Sequence, residues 1–343
     1  MPCAAPDVLP RGPFPFGTDV PTREGMTSIT EMSIQLPGLR MHALEAGPAK
    51  GPLVLLLHGF PELAESWRGV LPRLAKAGFR AVAPDLRGYG ETERPEKGYD
   101  LDTLVDDIAR LAEHLQPGRP AHVVGHDWGG LIAYHLAATR PEVVDRLAVI
   151  NAPHPAILSR DIWKPAQLVR SWYAFFFQVP FLPEFLLSLG GGALIPRLIR
   201  RAMVDPSRVP EGKFAPYEAC FSRPEALRPP IEYYRRLFRD ALTPQGLRRM
   251  KDYPRIHAPF RLIWGEQDIA LRKELTQGLA PWFSQPPEVR YLPDVGHFVP
   301  LEAPERVAAL LLEHLGFVPK RRRKGASPQS ARPETVSGEH PSV

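Results

Sequence analysis

The sequence has a carboxylate, Asp127, at a position where a nucleophilic serine is usually found. The stretch GHDWGG (residues 125–130) follows the apolar run AHVVG and precedes the helix-like segment GGLIAYHLAATR. A strand, a glycine-bounded turn and a helix form the context in which a nucleophilic serine is presented as G-x-S-x-G, and here Asp127 takes the place of that serine. A carboxylate is ionised near neutral pH and needs no general base. We predict that Asp127 attacks an sp3 carbon carrying a leaving oxygen or halide and forms an ester with it.

A histidine and a second carboxylate complete the predicted chemistry. His297, in the fragment DVGHF, lies in a loop after a short strand, and a histidine of near-neutral pKa can take a proton from water and return it. Asp268, after the strand-like LIW, can hold the imidazole in one tautomer and stabilise the imidazolium. Asp294 and Glu266 compete for that role, and the position of Asp268 after a strand favours Asp268.

Hydrolysis of an ester on Asp127 generates an oxyanion, which needs backbone N–H donors. One predicted donor is the amide of Trp128, which directly follows the nucleophile. The other is expected from the turn HGFPE (58–62). Within that turn the amide of Phe60 is the predicted donor, because Pro61 has no N–H.

Alternating strands and helices must bring these residues together. The sequence predicts a short strand pair in MSIQL and RMHALEAG, then buried strands in PLVLLLHG, GFRAVAPDLRG, AHVVG and RLAVIN. Residues 101–115 have the spacing of an amphipathic helix. This alternation indicates an α/β fold with a mostly parallel central sheet. The loops that carry the candidate residues then emerge at the C-terminal edge of the sheet, where such folds bind ligands.

The regular alternation stops after INAPHP. Residues 156–250 are helical, aromatic and rich in proline, and FRLIWGEQD and EVRYLPDVGH then resume as strands. An insertion after a strand's C-terminal end covers the ligand-binding edge, so we predict an all-helical lid. The predicted organisation is a loose leader at 1–30, a core at 31–155 and 251–318, the lid at 156–250, and a disordered basic tail at 319–343.

The chain order Asp127, Asp268, His297 is that of α/β-hydrolase triads, with the nucleophile first and the histidine last. With these motifs, residues 31–318 resemble the soluble epoxide hydrolase family, which has the α/β-hydrolase fold and an aspartate nucleophile. The resemblance implies that a hydrophobic epoxide and water are converted to a vicinal diol through an aspartyl ester, as in detoxification.

The resemblance also implies a pair of lid tyrosines that protonate the epoxide oxygen. SWYAFFFQ resembles the first lid motif and points to Tyr173, and RPPIEYYRRL resembles the second and points to Tyr234 rather than Tyr233. A tyrosine hydroxyl is a protonated donor at neutral pH. Tyr217 is the strongest competitor for either place. Four further lid aromatics are expected to shape the surface that faces the substrate: Phe175, Phe176, Phe181 and Phe185.

Several alternative functions use related frameworks. Haloalkane dehalogenases typically have asparagine after HG, where this chain has Phe60, and haloacetate dehalogenases have arginines at and after the position of Trp128. A non-catalytic ligand-binding protein of the same fold is a third alternative, against which the intact triad argues. A serine esterase is disfavoured because G-x-S-x-G occurs nowhere in the chain.

The net charge and the cysteine content limit which partners and cofactors we expect for this chain. The 343-residue chain has a net charge of +5, and residues 319–343 hold six basic against two acidic side chains. The charge therefore belongs mostly to a solvated tail, and we expect no nucleic-acid partner. Cys3 and Cys220 fit neither a disulfide framework nor a metal site, and no dinucleotide motif is present. We expect no cofactor and no metal; the oligomeric state stays open.

Targeting signals are not evident in the sequence. The N-terminus has no basic segment followed by an apolar run, so we expect no signal peptide, and Met26 is an alternative start. The most apolar window, 172–189, is interrupted by Gln178, Pro180 and Glu184, which argues against a membrane span. The expected location is the cytoplasm. His126 and His58 are predicted to brace the turns in which they lie.

Overall fold

A single mixed sheet organises the molecule. The computed structural model describes residues 28–243, 246 and 252–317, so Met26 and the predicted basic tail lie outside the described residues. Within that part of the chain, eight strands pair in the order β1-β2-β4-β3-β5-β6-β7-β8. The strands are β1 (Thr30–Leu36), β2 (Leu39–Ala46), β3 (Leu53–Leu57), β4 (Arg80–Pro84), β5 (Ala121–His126), β6 (Val144–Ile150), β7 (Phe260–Gly265) and β8 (Glu288–Leu292). The β1–β2 and β2–β4 pairs are antiparallel and the other pairs are parallel, which confirms the predicted mostly parallel sheet.

The central strands are buried on both faces. Every residue of β3, β5 and β7 is buried, as their continuous apolar runs predict. Successive side chains of β3 enter opposite halves of the core, with Leu55 packing on one side and Val54 and Leu56 on the other. Helices must therefore cover both faces of the sheet.

The described helices are α1 (Leu71–Lys76), α2 (Leu101–Leu115), α3 (Trp128–Thr139), α4 (Pro155–Asp161), α5 (Pro165–Arg170), α6 (Trp172–Phe176), α7 (Leu182–Ser188), α8 (Leu194–Arg201), α9 (Ala215–Cys220), α10 (Pro224–Ala241), α11 (Val299–Glu302) and α12 (Pro304–His314). The α2 helix has the predicted bounds, and Asp100 caps it by accepting from the N–H of Thr103. Between β3 and β4 the chain forms a 3₁₀ turn, Ala64–Trp67, and then α1, in which Pro72 lies in the first turn, where a proline fits.

A helical insertion, residues 155–241, separates β6 from β7 and contains α4 to α10. Its helices α4 to α9 are short, and Pro155, Pro165 and Pro183 each lie in a first turn, in keeping with the proline content. The insertion follows the C-terminal end of β6 and thus begins at the edge of the sheet where the candidate residues emerge. Among the described residues, no helix has the length and apolar character needed to cross a bilayer.

Candidate active site

Asp127 lies in the tight turn between β5 and α3. Its backbone has a φ of 50°, a left-handed conformation that non-glycine residues rarely adopt. A Cβ atom on Gly125 would lie 2.2 Å from the carbonyl oxygen of Gly129, and one on Gly129 would lie 2.3 Å from that of Leu57. Glycine is therefore required at both positions for the strand and the helix to meet so closely. The turn presents Asp127 at the C-terminal edge of the sheet.

Backbone amides hold the Asp127 carboxylate. The N–H of Phe60 donates to Oδ1 at 2.8 Å, and the N–H of Trp128 is also hydrogen bonded to this carboxylate. Gly59 permits the approach, since a Cβ there would lie 2.4 Å from the Cβ of Asp127. Burial raises the pKa of Asp127, while the charge of His297 and the two N–H groups oppose that rise. Both predicted oxyanion donors are thus placed against the carboxylate.

His297 lies between Asp127 and Asp268. Its Nε2 is 3.8 Å from Oδ2 of Asp127, and its Nδ1 is 2.7 Å from Oδ2 of Asp268. Burial alone lowers the pKa of His297, but the charge and hydrogen bond of Asp268, together with the charge of Asp127, outweigh it and raise the pKa to about 9. With Asp127 ionised, His297 therefore carries a proton on each ring nitrogen at neutral pH.

Asp268 is fixed by several donors, one of which the sequence did not predict. Its Oδ1 accepts from the N–H groups of Ala270 and Leu271 at 2.7 and 2.8 Å, and its Oδ2 accepts from Nδ2 of Asn151 at 2.7 Å. Burial raises the pKa of Asp268, but the charge of His297 and these hydrogen bonds lower it below its ordinary value. Asn151 directly follows β6 in the motif INAPHP, so its place at the end of a buried strand is the signal that could have identified it.

The competing carboxylates lie elsewhere. Asp294 is half-buried and pairs with Arg306 at 2.6 Å and Arg208 at 3.3 Å, and Glu266 pairs with Lys273. Asp268 alone among the three weighed candidates contacts His297.

A cavity of about 60 Å³ is lined by Asp127, Trp128, Tyr173 and Tyr234. The rings of the two tyrosines meet edge to face, with centroids 6.0 Å apart. Burial raises the pKa of both phenols above the ordinary value, so both hydroxyls are protonated at neutral pH. The rest of the lining is largely apolar and includes Leu131, Leu158, Ile162, Leu237 and Phe238. The predicted nucleophile and both predicted tyrosines therefore line the same cavity.

Two further tyrosines of the helical insertion, Tyr233 and Tyr217, have hydrogen-bond partners outside this cavity. Tyr233 is fully buried and its hydroxyl donates to the carbonyl oxygen of Arg87 at 2.8 Å. The hydroxyl of Tyr217, the competitor, is 2.7 Å from that of Ser66. Each of these hydroxyls stabilises a packing contact between the helical insertion and the core.

The expectation that Phe181 and Phe185 shape the substrate surface was wrong. The α7 helix turns Pro183, Glu184 and Leu187 toward the protein, so Phe185 lies on its opposite face, and Phe181 directly precedes the helix. Phe181 is 84% exposed and Phe185 is 55% exposed.

Comparisons with known proteins agree with this geometry. The family model of the α/β-hydrolase fold matches residues 52–192. Human epoxide hydrolase 4 is 36% identical over 281 residues, which cover 80% of this chain and 75% of the human protein. The chain belongs to the epoxide hydrolase family.

One more relative and one solved structure each match most of the chain. The AB hydrolase superfamily protein YfhM of Bacillus subtilis is 34% identical over 282 residues, covering 81% of this chain and 95% of the relative. The solved structure of the Bacillus megaterium epoxide hydrolase in complex with an inhibitor has a TM-score of 0.75 at 27% identity, and the match covers 83% of this chain and 99% of that one. The predicted α/β-hydrolase fold is confirmed.

A buried charged pair connects two loops of this epoxide hydrolase family member. Oε2 of Glu62 accepts from the N–H of Gly59 at 2.9 Å and lies 2.5 Å from Nδ1 of His126, whose Nε2 is 2.9 Å from the carbonyl oxygen of His297. His126 thus joins the HGFPE turn to the loop that carries His297. His126 was predicted to be structural. Glu62 had no predicted role, although its position in HGFPE, beside the predicted oxyanion turn, was the available signal.

We expect Glu62→Gln to destabilise the protein strongly. Removing one partner of a fully buried ion pair leaves the other charge uncompensated, which typically costs about 3–5 kcal/mol. Urea denaturation at pH 7 should show this loss. The matched exposed variant Glu142→Gln should denature close to wild type, and equal midpoints for the two variants would contradict the assigned pair.

Glu62 also predicts how stability depends on pH. Burial raises its pKa, but the charge and hydrogen bond of His126 and the N–H of Gly59 outweigh burial and lower the pKa from 4.5 to about 2. A carboxyl with a depressed folded-state pKa stabilises the fold fully above its unfolded pKa, and that stabilisation is lost as the pH falls through the folded pKa. Between pH 4.5 and 2, the free energy of unfolding of wild type should therefore fall more steeply than that of Glu62→Gln; parallel curves would contradict this assignment.

Proposed function

We propose that this protein hydrolyses hydrophobic epoxides to vicinal diols through a covalent ester on Asp127. The observation that carries the proposal is the shared cavity: it presents the Asp127 carboxylate and the side chains of Tyr173 and Tyr234, both protonated donors. A carboxylate facing two protonated phenols suits attack on a strained ether, whose leaving oxygen needs a proton. The apolar lining suits a hydrophobic substrate.

In the first half of the reaction, Oδ2 of Asp127 forms a bond to one epoxide carbon as that carbon's bond to the ring oxygen breaks. The ring oxygen takes a proton from the tyrosine pair, which leaves a tyrosinate. Oδ1 remains hydrogen bonded to the N–H of Phe60, so Oδ2 is the oxygen that acts as the nucleophile. The product of this half is a hydroxyalkyl ester of Asp127.

Esterification changes the state of His297. The negative charge of Asp127 is one cause of the raised pKa of His297, and forming the ester removes that charge. The pKa of His297 therefore falls, so the imidazolium can give its extra proton to the tyrosinate, and the neutral imidazole can then act as a base. Because Nε2 lies 3.8 Å from Oδ2, a water that it activates is held beside the ester carbonyl.

In the second half, His297 takes a proton from water as the water oxygen bonds to Cγ of Asp127. The negative charge develops on Oδ1, where the Phe60 and Trp128 amides stabilise it. Collapse breaks the Cγ–Oδ2 bond, and the diol leaves with Oδ2 and the proton from His297. The remaining carboxyl proton passes to His297, so one water is consumed and the resting protein, with Asp127 ionised and His297 protonated, is restored.

The reaction class is tested by offering the purified protein aryl epoxides and haloalkanes in parallel. Chromatography should detect diol from the epoxide, and ion chromatography should detect no halide. In the structure, Phe60 packs edge to face against Phe177 and Tyr234, so an aromatic ring stands where halide-binding relatives carry an amide. Halide release without diol would favour a dehalogenase, and stoichiometric binding without turnover would favour a non-catalytic ligand-binding protein. Turnover of epoxides would also suit a role in detoxification.

We expect Tyr234→Phe to lower kcat/KM for an epoxide by about 100-fold, since a general acid typically contributes 10²- to 10⁴-fold. Tyr173→Phe should lower it similarly. The matched control is Tyr233→Phe, which removes a hydroxyl bonded to Arg87 and should cost about 1 kcal/mol of stability while leaving kcat/KM within a few fold. If Tyr233→Phe and Tyr234→Phe lost activity equally, the assignment of the proton donor would be wrong.

A further inference from the structure

The outer surface of the helical insertion carries a dense group of exposed apolar side chains. Among the described residues, all the exposed large apolar side chains except Ile269 and Tyr291 lie between residues 163 and 242. We define the apolar face as those within residues 163–189: Trp163, Leu168, Val169, Trp172, Val179, Phe181, Leu182, Phe185 and Leu189. Single exposed apolar residues are ordinary on a protein surface, whereas a concentration of this kind indicates an interaction surface.

The helices that carry the apolar face are neighbours. The α5 helix packs against α6, and α7 packs against both α8 and α10. The ring of Phe175 on α6 contacts Phe238 on α10, with centroids 5.1 Å apart. The exposed rings also lie beside other aromatic residues, Trp163 against Phe175 and Trp172 against Phe176, each 6.0 Å between centroids.

One residue of the apolar face is held outward at a conformational cost. Phe181 has a φ of 62°, which is strained for a bulky side chain, and it is 84% exposed. The inward side of the adjacent α7 is occupied by Glu184, which pairs with Arg235 at 2.6 Å. Because the exposed ring of Phe181 adds little to the protein's own packing, the strained conformation points to contact with something outside the chain.

Basic side chains predominate among the exposed charges around the apolar face. The single acidic residue in 163–189 is Glu184, and its side chain is buried against Arg235. The exposed charged side chains of that segment are Arg170 and Lys164, of which Lys164 pairs with the buried Asp161 at 3.0 Å. Three more basic residues follow on α8: Arg197 and Arg201 are exposed, and Arg200 lies 4.0 Å from the exposed Glu211. A second copy of this face would bring like charges together in a symmetric dimer, whereas an anionic surface complements them.

We propose that the apolar face docks on membranes containing anionic phospholipids. Tryptophan and phenylalanine rings would lie at the depth of the head groups, and the flanking basic side chains would contact lipid phosphates.

The cavity wall lies directly behind this surface. Ile162 and Tyr173 line the cavity and are the chain neighbours of Trp163 and Trp172, and Phe238 lines it while contacting Phe175. A docked protein would therefore receive an apolar epoxide from the bilayer instead of from water. This delivery step rests on the proposed function, whereas vesicle binding does not.

The test is co-sedimentation of the full chain with vesicles of phosphatidylcholine alone or mixed with phosphatidylserine. Binding should require phosphatidylserine and weaken as salt is added. Phe181→Ser/Phe185→Ser should weaken it about tenfold by removing inserted apolar area, and Arg197→Glu/Arg201→Glu should weaken it at least about tenfold. A matched charge control, Lys76→Glu/Arg119→Glu, alters exposed residues near the amino ends of β4 and β5, at the opposite edge of the sheet, and should bind like wild type.

Three outcomes would overturn the proposal: no binding to either vesicle, equal weakening by the control and face variants, or a dimer in sedimentation velocity that Phe181→Ser/Phe185→Ser dissolves without any lipid binding. The delivery step has its own measurement, in which anionic vesicles should accelerate hydrolysis of a long-chain epoxide by wild type but not by the phenylalanine variant. Both proteins should hydrolyse a water-soluble epoxide equally, because neither phenylalanine lines the cavity. Binding without epoxide turnover would leave docking supported and contradict the proposed function.

Discussion

Asp127→Ala should lower kcat/KM for an epoxide by at least about 10⁴-fold and leave no detectable ester. The proposed reaction passes through a bond to Oδ2, and loss of a nucleophile removes the covalent route rather than weakening it. What remains is the slow attack of water on an epoxide positioned by Tyr173 and Tyr234. Initial rates with and without the variant protein, corrected for uncatalysed hydrolysis, measure this effect.

The control for this loss is Asp294→Ala, which removes a half-buried carboxyl from the loop that carries His297. It should retain activity within a few fold of wild type. Thermal unfolding should show that Asp127→Ala is still folded, since the side chain of Asp127 makes only polar contacts, with the backbone amides of its cradle and with His297. Residual activity of Asp127→Ala within about tenfold of wild type would rule out a covalent role for this residue.

His297→Gln should separate the two halves of the reaction. Without a base, the ester forms but is not hydrolysed, so steady-state turnover should fall by about 10³- to 10⁴-fold. When this variant is mixed with excess epoxide, one mole of epoxide should be consumed per mole of protein. Mass spectrometry should find the protein heavier by the mass of one intact epoxide, carried by the peptide that contains Asp127.

The exposed variant His257→Gln serves as the control and should turn over without accumulating an adduct. An adduct on another residue of His297→Gln would place the nucleophile elsewhere. A complete loss of epoxide consumption, with no adduct, would mean that His297 acts before the ester forms and would overturn its assignment to the second half.

The elements that position the site could be predicted because their signals are local. The buried strands are continuous apolar runs, and residues 101–115 have a helical period that the structure reproduces as α2. The tight turn at Asp127 could also be predicted, since the glycines on both sides of Asp127 mark a turn that leaves no space for a Cβ atom.

The residues that the sequence missed act through partners far along the chain. Asn151 donates to Asp268 across 117 positions, and Glu62 contacts His126 across 64. Neither contact has a periodic or local signature, so only the arrangement of strands in the sheet brings these residues together. Likewise, the aromatic content of 172–189 suggested a substrate surface, but the side of α7 that faces the protein is decided by packing against α8 and α10.

The ester on Asp127 is tested most directly by a single turnover with excess protein in water enriched in oxygen-18, followed by mass spectrometry of the diol and of the peptide containing Asp127. In the proposed reaction, water attacks Cγ and the diol leaves with Oδ2, so the label should enter Asp127 and the diol should be unlabelled. Label in the diol with none in Asp127 would mean that water attacks the epoxide directly, and the covalent account would be wrong.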